Sequence, residues 1–271
     1  RTSRCAHADP NLGQVPAHTE YGARCRACYM PTREDWLQVG VDASGLEMRM
    51  LAHYMAPYDG GAFAEVVLKG RREDGTDIHS RWQKLTGLFY RDSQKTLTYA
   101  MLYGAGDKKL GYTVIADHYK AFEAGLTDIP VPALSTARDI GKQVRDRLLS
   151  GEEALGKLIA DVKHAWKSGY IVGLDGRVIQ CHSQHGALND LLQSAGSIVM
   201  KWAHVLAYQG LTCHLGPHGS EYAFMLHVHD ECQMETKPEV AELAGSIYAE
   251  SIAEAGRRLG CNIELAGDVS V

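Results

Sequence analysis

The chain has 271 residues, enough for one large domain or two small ones, and its 28 basic and 33 acidic residues leave a net charge of −5. Apolar residues at 45% and charged residues at 23% are ordinary for a globular protein and argue against a disordered, collagen-like or coiled-coil chain. No run approaches the ~18 apolar residues of a spanning helix, so no membrane contact is expected. Arg1 opens the chain with no apolar segment behind it, so no signal peptide is expected either. Seven scattered cysteines fit a reducing compartment better than a disulfide scaffold.

A mildly acidic total counts against a nucleic-acid partner, but the charge is unevenly spread. From Lys69 to Lys95 seven basic residues face four acidic ones, whereas Pro238 to Gly256 holds four glutamates and no basic residue. An acidic outer helix can hide a basic cleft in such a sum; two solvated faces of opposite sign explain it equally well. In chain order, residues 1–33 are rich in Arg, Pro and Gly and read as irregular. Residues 37–42 read as a short buried strand ending on Asp42, and Ser44 to Met55 as a helix broken by Asp59-Gly60-Gly61. Arg91 to Tyr103 is helical and closes on Gly104, residues 125–137 form a loop, and Asp175-Gly176 joins two short strands as a hairpin. Ala187 to Gln209 carries one apolar stripe from Leu188 to Trp202 and Leu206, with Gly210 as its stop. Residues 222–228 and 232–236 are β-rich runs around His229-Asp230-Glu231. Glu239 to Leu259 is an amphipathic helix with Val240, Leu243, Ile247 and Ile252 inward, and Gly267 to Val271 is a last strand.

Three constellations carry chemistry. Asp42-Ala43-Ser44-Gly45-Leu46-Glu47 places a carboxylate and a free carbonyl where a strand turns into a helix. His229-Asp230-Glu231 projects acidic side chains from the turn between two strands. Paired carboxylates on neighbouring strands are what Mg²⁺ ions require, since Mg²⁺ takes oxygen ligands and leaves positions for phosphate and water. For each aspartate alone, a cap or turn residue is the plainer reading. The third is Arg91-x-x-x-Lys95-x-x-x-Tyr99-x-x-x-Tyr103-Gly104, whose spacing keeps all four side chains on one face, drifting about 40° per step. Two cations followed by two rings suit a triphosphate and then a sugar and base. An exposed basic start running into a half-buried aromatic end is the plainer reading of that helix.

Together the three match a pattern. Asp-x-Ser-x-x-Glu at Asp42, Ser44 and Glu47, the Arg91 to Gly104 helix, and His229-Asp230-Glu231 resemble motifs A, B and C of the polymerase domain of family A (Pol I-type) DNA polymerases. The likeness is closest to the replicative polymerases of short-tailed phages. Thr2-Ser3-Arg4 and Pro10 to Pro16 resemble the segment ahead of motif A, and Asp77-Ile78-His79 precedes motif B. Leu188-Asn189 through Gln193 to Gly196 resembles the helix that touches the primer-template.

The resemblance implies an α/β fold, a right-hand polymerase palm with an antiparallel sheet and packed helices, plus mostly helical fingers. Palm is expected at 1–60 and 176–271 and fingers at about 61–175, with thumb and exonuclease absent from this chain. It implies template-directed addition of deoxynucleoside triphosphates to a primer 3′-hydroxyl by two-metal phosphoryl transfer. Asp42, Asp230 and the Ala43 carbonyl would hold two Mg²⁺ ions, with Mn²⁺ able to substitute. Arg91, Lys95 and His79 would neutralise phosphate charge, with Lys95 also the proton donor to pyrophosphate. Tyr99 would stack near the sugar and Tyr103 near the templating position, while Glu47 closes the sugar pocket against a 2′-hydroxyl. Arg4, His185, Asn189 and Gln193 would read the minor-groove side of the new pair, and His229 and Glu231 would support the primer end and the metals. The partners implied are primer-template DNA and deoxynucleoside triphosphates, with any processivity factor acting on a thumb outside this chain. The implied location is the bacterial cytoplasm, whether the gene is the cell's own or a phage's.

Ser3 departs from the pattern, standing where the family usually has glycine. A single-subunit RNA polymerase shares the two aspartates and the Lys/Tyr-Gly helix, though Glu47 and Glu231 favour the DNA enzyme. A catalytically degenerate DNA-binding fragment is the non-enzymatic alternative. Cys25-Arg26-Ala27-Cys28 is a lone C-x-x-C without a second pair at zinc spacing. Cys213, His214 and His218 read as a histidine-bearing surface loop.

Overall fold

The computed structural model describes residues 2–16 and 19–271; the irregular reading of Arg1, Ala17 and His18 lies outside the described residues. Their neighbours are not wholly irregular, since a 3-10 turn at Leu12–Gln14 precedes helix α1 (Glu20–Arg26), which Thr19 caps by accepting from Gly22 N–H. Then come strand β1 (Leu37–Ala43), helices α2 (Leu46–Asp59), α3 (Ala62–Lys69), α4 (Ile78–Thr86), α5 (Arg91–Leu102), α6 (Asp107–Glu123), α7 (Ala137–Gly151) and α8 (Glu153–Trp166), and strands β2 (Tyr170–Val172) and β3 (Val178–Gln180). Helix α9 (Ala187–Leu215), strands β4 (Tyr222–Val228) and β5 (Glu231–Thr236), helix α10 (Ala241–Arg258) and strand β6 (Gly267–Ser270) complete the chain. The fold class is α/β with an antiparallel sheet, as expected. Two compact units form, one of Leu51–Leu192 and one of Thr2–Met50 with Gln193–Val271.

The second unit is built on an antiparallel sheet in the order β4-β5-β1-β6. Alternation along β1 sends Val39, Val41 and Ala43 into the core, where they are essentially inaccessible, and leaves Asp42 on the opposite, open face. Helix α10 covers the buried face with small residues. A side chain at Gly245 would collide with Val269, and Ala244 and Ala255 line the same inner surface. Leu243, expected inward, is 46% exposed, because this close approach leaves room for alanine and glycine rather than leucine.

Helix α9 differs from its sequence reading in two ways. Residues 191–200 are buried all round rather than along one stripe, and Trp202 beyond them is 42% exposed. Gly210 does not stop the helix. It sits where α9 presses on α10, with a Cβ there only 2.9 Å from Ile247, and the left-handed Gly216 follows the true end at Leu215. In this case glycine marks close packing rather than termination.

The first unit is mainly helical, with the β2–β3 hairpin turning through Gly176 at φ +79° as its Asp-Gly pair requires. Helices α6 and α7 pack backbone to backbone. A Cβ on Gly111 would lie 1.7 Å from the Ala137 carbonyl oxygen, and one on Gly141 would lie 1.8 Å from that of Asp107. Backbone cannot yield as a side-chain tip can, so Gly111→Ala or Gly141→Ala is expected to cost about 3 kcal/mol of unfolding free energy. Gly156→Ala in α8 meets only the Leu149 carbonyl oxygen, at 3.9 Å, and should instead gain roughly 0.5–1 kcal/mol of helix propensity. Denaturant titration of the three variants separates close packing from propensity.

Candidate functional site

In the sheet unit, four carboxylates gather at one end of β1. Asp42 pairs across the ladder with Glu231 on β5 and with Asp268 on β6, so the three side chains share the open face. The Ala43 N–H donates to the Asp230 carbonyl at 2.9 Å, which fixes the β4–β5 turn against the end of β1. Ser44 N–H donates to the Ala266 carbonyl, and Gly45, at φ +56°, then turns the chain into α2. His229 in the turn holds φ +54°, a left-handed conformation that costs a side-chain-bearing residue roughly 1 kcal/mol or more.

Among the described residues, no lysine or arginine forms an ion pair with Asp42, Asp230, Glu231 or Asp268. Arg49 feels Asp268 but donates to the Glu264 carbonyl. Partial burial, and then the charges of Asp230, Glu231 and Asp268, push the Asp42 carboxyl up to about 6. Hard oxygen donors with uncompensated negative charge are a suitable donor set for divalent cations of the Mg²⁺ class. Asp268 was not legible as part of this set. Only the β1–β6 register, Asp42 opposite Asp268, reveals it.

The neighbouring candidates form a second group in the same unit. Gln193, which is buried, donates from Nε2 to Glu47 Oε1 at 3.4 Å. Arg4 lies close to His229, whose imidazole is held below its ordinary pKa by burial and then by the Arg4 charge. Ser3 takes φ +60°, the conformation that glycine adopts freely, and its carbonyl accepts from Ser197 Oγ at 2.7 Å.

In the helical unit, Asp77 organises the other cluster. It caps α4 by accepting from His79 N–H at 3.0 Å and from Ser80 Oγ, and it receives Arg91 Nη2 at 2.6 Å and Nε at 3.1 Å. Both α4 and α5 therefore begin on one carboxylate. Asp117, fully buried, accepts from the N–H groups of Phe89 and Tyr90 and secures the entry to α5. His79 is buried, with Nδ1 unpartnered among the described residues. Burial, and then the Arg91 charge, lower its pKa to about 4, with Lys95 adding to the effect, so it offers a neutral ring at pH 7. The rings of His79 and Tyr99 stand 6.0 Å apart and those of Tyr99 and Tyr103 6.1 Å apart, while Lys95 is exposed.

Gly104, at φ +78°, closes this helix against the His185 carbonyl; a Cβ there would lie 2.2 Å from the oxygen. A cavity of about 400 Å³ opens beside it, lined among others by Arg145, Lys163, His185 and Leu188. Asn189 Oδ1 is buried without a partner among the described residues.

Residues 1–124 match the family model described as DNA polymerase family A. The chain is 37% identical to a DNA-directed DNA polymerase of Escherichia phage T7, over 96% of this chain and 36% of that protein. It is 30% identical to one of Escherichia phage Phieco32, over 90% of this chain and 40% of that protein. The chain thus spans little more than a third of the length of these relatives. The fold is similar to the POL domain of Pol1 from M. smegmatis, solved in complex with DNA primer-template and dNTP, at a TM-score of 0.72 and 21% identity. That likeness covers 99% of this chain and 45% of the other.

The Asp77 carboxyl sits at about 2: burial opposes ionisation, but the bonds from Arg91 and Ser80, the Arg91 charge and the His79 N–H together outweigh it. A depressed carboxylate stabilises the fold fully above its unfolded value of 3.8 and loses that contribution as pH falls through about 2. Asp77→Ala is therefore expected to cost about 2 kcal/mol at pH 7, with the gap from wild type closing between pH 4 and 2. Denaturant titrations across that range test this, and a gap independent of pH would contradict it.

Proposed function

Because this chain belongs to DNA polymerase family A, we propose that it carries the palm and fingers of an enzyme that extends a primer on a DNA template. The palm comprises residues 1–60 and 176–271 and the fingers about 61–175. The observation that supports this reading most strongly is the carboxylate set at the end of β1, where Asp42 is pushed up to about 6 and, among the described residues, no lysine or arginine forms an ion pair with it. That charge calls for divalent cations. Asp42, Asp230 and the Ala43 carbonyl would hold them, with Glu231 as a supporting group; two Mg²⁺ ions bound there, or Mn²⁺ in their place, would supply Lewis acidity for the primer 3′-hydroxyl and charge stabilisation for the leaving pyrophosphate.

The protein's own groups do the rest. Arg91 meets the triphosphate with a guanidinium already aimed by Asp77, so little side-chain entropy is lost on binding. His79 supplies a neutral N–H to the phosphates rather than a charge. Lys95 Nζ adds positive charge and gives its proton to the pyrophosphate oxygen as the P–O bond breaks. Tyr99 packs on the sugar and Tyr103 beside the templating base. Glu47 excludes a ribose 2′-hydroxyl. Arg4, His185, Asn189, Gln193 and His229 contact the DNA; Asn189 and Gln193 bring minor-groove hydrogen-bonding groups whose pattern is shared by all base pairs. The substrates are deoxynucleoside triphosphates and primer-template DNA, and the setting is the bacterial cytoplasm.

Two measurements check this reading. Asp42→Asn or Asp230→Asn should lower primer extension by at least about a thousandfold, near 4 kcal/mol of barrier, with the far-UV circular dichroism spectrum unchanged. A folded variant that extends at the wild-type rate would remove that residue from the metal set. Glu47→Ala should raise use of ribonucleotides relative to deoxynucleotides by roughly ten- to a hundredfold, as expected when a charge-assisted contact is lost. Single-nucleotide insertion with each sugar gives that ratio, and an unchanged ratio in an active variant takes Glu47 out of the sugar pocket.

A further inference from the structure

On the face of the sheet opposite the carboxylates, three side chains from three elements converge. His227 on β4 and Cys232 on β5 are direct cross-strand partners, so they project to the same side. Alternation along β5 makes that side the reverse of the one carrying Glu231. His204 of α9 closes over them, its ring 5.6 Å from that of His227 and edge-on to it. The donor atoms of all three lie within 4.8 Å of one another.

We propose that His204, His227 and Cys232 form a binding site for a borderline-soft divalent cation of the Zn²⁺ class. The donor set is two imidazoles and one thiol, which favours Zn²⁺ over Mg²⁺ or Ca²⁺. Zinc bonds to nitrogen and sulfur of about 2.0–2.3 Å place tetrahedral ligands roughly 3.3–3.8 Å apart, so the three donors need close by only about an ångström. Rotamer adjustment of two imidazoles supplies that. The surroundings already restrain the ligands. Tyr248 Oη lies 3.3 Å from His204 Nδ1, and the Phe224 ring stands 4.4 Å from that of His204. His7 Nε2 donates to the His227 carbonyl at 2.9 Å and holds that part of β4. Partners of this kind orient metal-binding histidines and tune their affinity. Three protein ligands leave a fourth position for water.

Cys232 is 1% exposed, which keeps its thiol from chance reaction, while both histidines are half-buried and give an ion a route in. An ion here ties α9, β4 and β5 together and braces the His229–Asp230 turn from behind. The site is separate from the carboxylate set in both position and ligand chemistry, so it stands whether or not the polymerase reading holds.

Titration of the whole chain with Co²⁺, a spectroscopic stand-in for Zn²⁺, tests the proposal. One equivalent should produce thiolate-to-metal charge-transfer absorption that Zn²⁺ abolishes. That absorption should persist in the Cys25→Ser/Cys28→Ser double variant, which removes the competing exposed pair, and in Asp42→Asn/Asp230→Asn. It should vanish in Cys232→Ser. His204→Gln and His227→Gln keep the thiolate and should each weaken Co²⁺ binding by roughly tenfold or more, at least the effect of losing an outer-shell partner. They carry the test if Cys232→Ser fails to fold. Absence of thiolate absorption, its survival in folded Cys232→Ser, or wild-type affinity in both histidine variants would overturn the proposal.

Discussion

One backbone hydrogen bond, from Ala43 N–H to the Asp230 carbonyl, draws the end of β1 and the β4–β5 turn together. The sheet register then sets Asp42 between Glu231 and Asp268. This arrangement opposes itself electrostatically. Two like charges 4 Å apart near a protein surface repel by about 4 kcal/mol, and no basic side chain among the described residues pairs with these carboxylates. What holds them is the reverse face of the same strands, where Val39, Val41, Cys232 and Met234 are fully buried beneath α10. Burying each such side chain contributes roughly 1.5–3 kcal/mol, and the alternation of the strand prevents the apolar face from forming without the acidic one. Stability spent in this way fits a site whose charge is completed by a ligand.

The helical unit handles its charges differently. There the cation is paired in advance, since Arg91 lies on the carboxylate that also caps α4. A carboxylate that aims a guanidinium also competes with whatever anion approaches it. In the proposed enzyme, a triphosphate must therefore be a better partner than Asp77, or must bind the guanidinium edge that Asp77 leaves open. His79, buried beside the same pair, stays neutral and avoids a second positive charge next to Arg91 in a confined space.

Much of this was legible in the chain. β1 was readable from alternating apolar residues, α5 from its four-residue spacing, and the acidic turn from the two β-rich runs that flank it. What escaped were contacts between residues far apart in sequence. Asp268 sits in a four-residue strand near the chain end, and nothing local says that it will face Asp42. Asp77 and Arg91 are fourteen residues apart on two helices, so no helical spacing links them. His204, His227 and Cys232 fit no zinc motif, because α9 and the hairpin meet only after folding. Gly210 was misread because glycine has two uses, ending a helix and admitting a close neighbour, and only the position of Ile247 decides between them.

The central claim is that the carboxylates at the end of β1 are held together for divalent cations. Electron paramagnetic resonance of free Mn²⁺, titrated against the protein, tests it most directly, because Mn²⁺ prefers oxygen donors and is bound weakly by the histidine-cysteine cluster. The account predicts that the wild-type chain removes Mn²⁺ from solution and that Asp42→Asn and Asp230→Asn each abolish most of that binding without unfolding the chain. Mn²⁺ binding that is absent from the wild type, or unchanged in both variants, would contradict it.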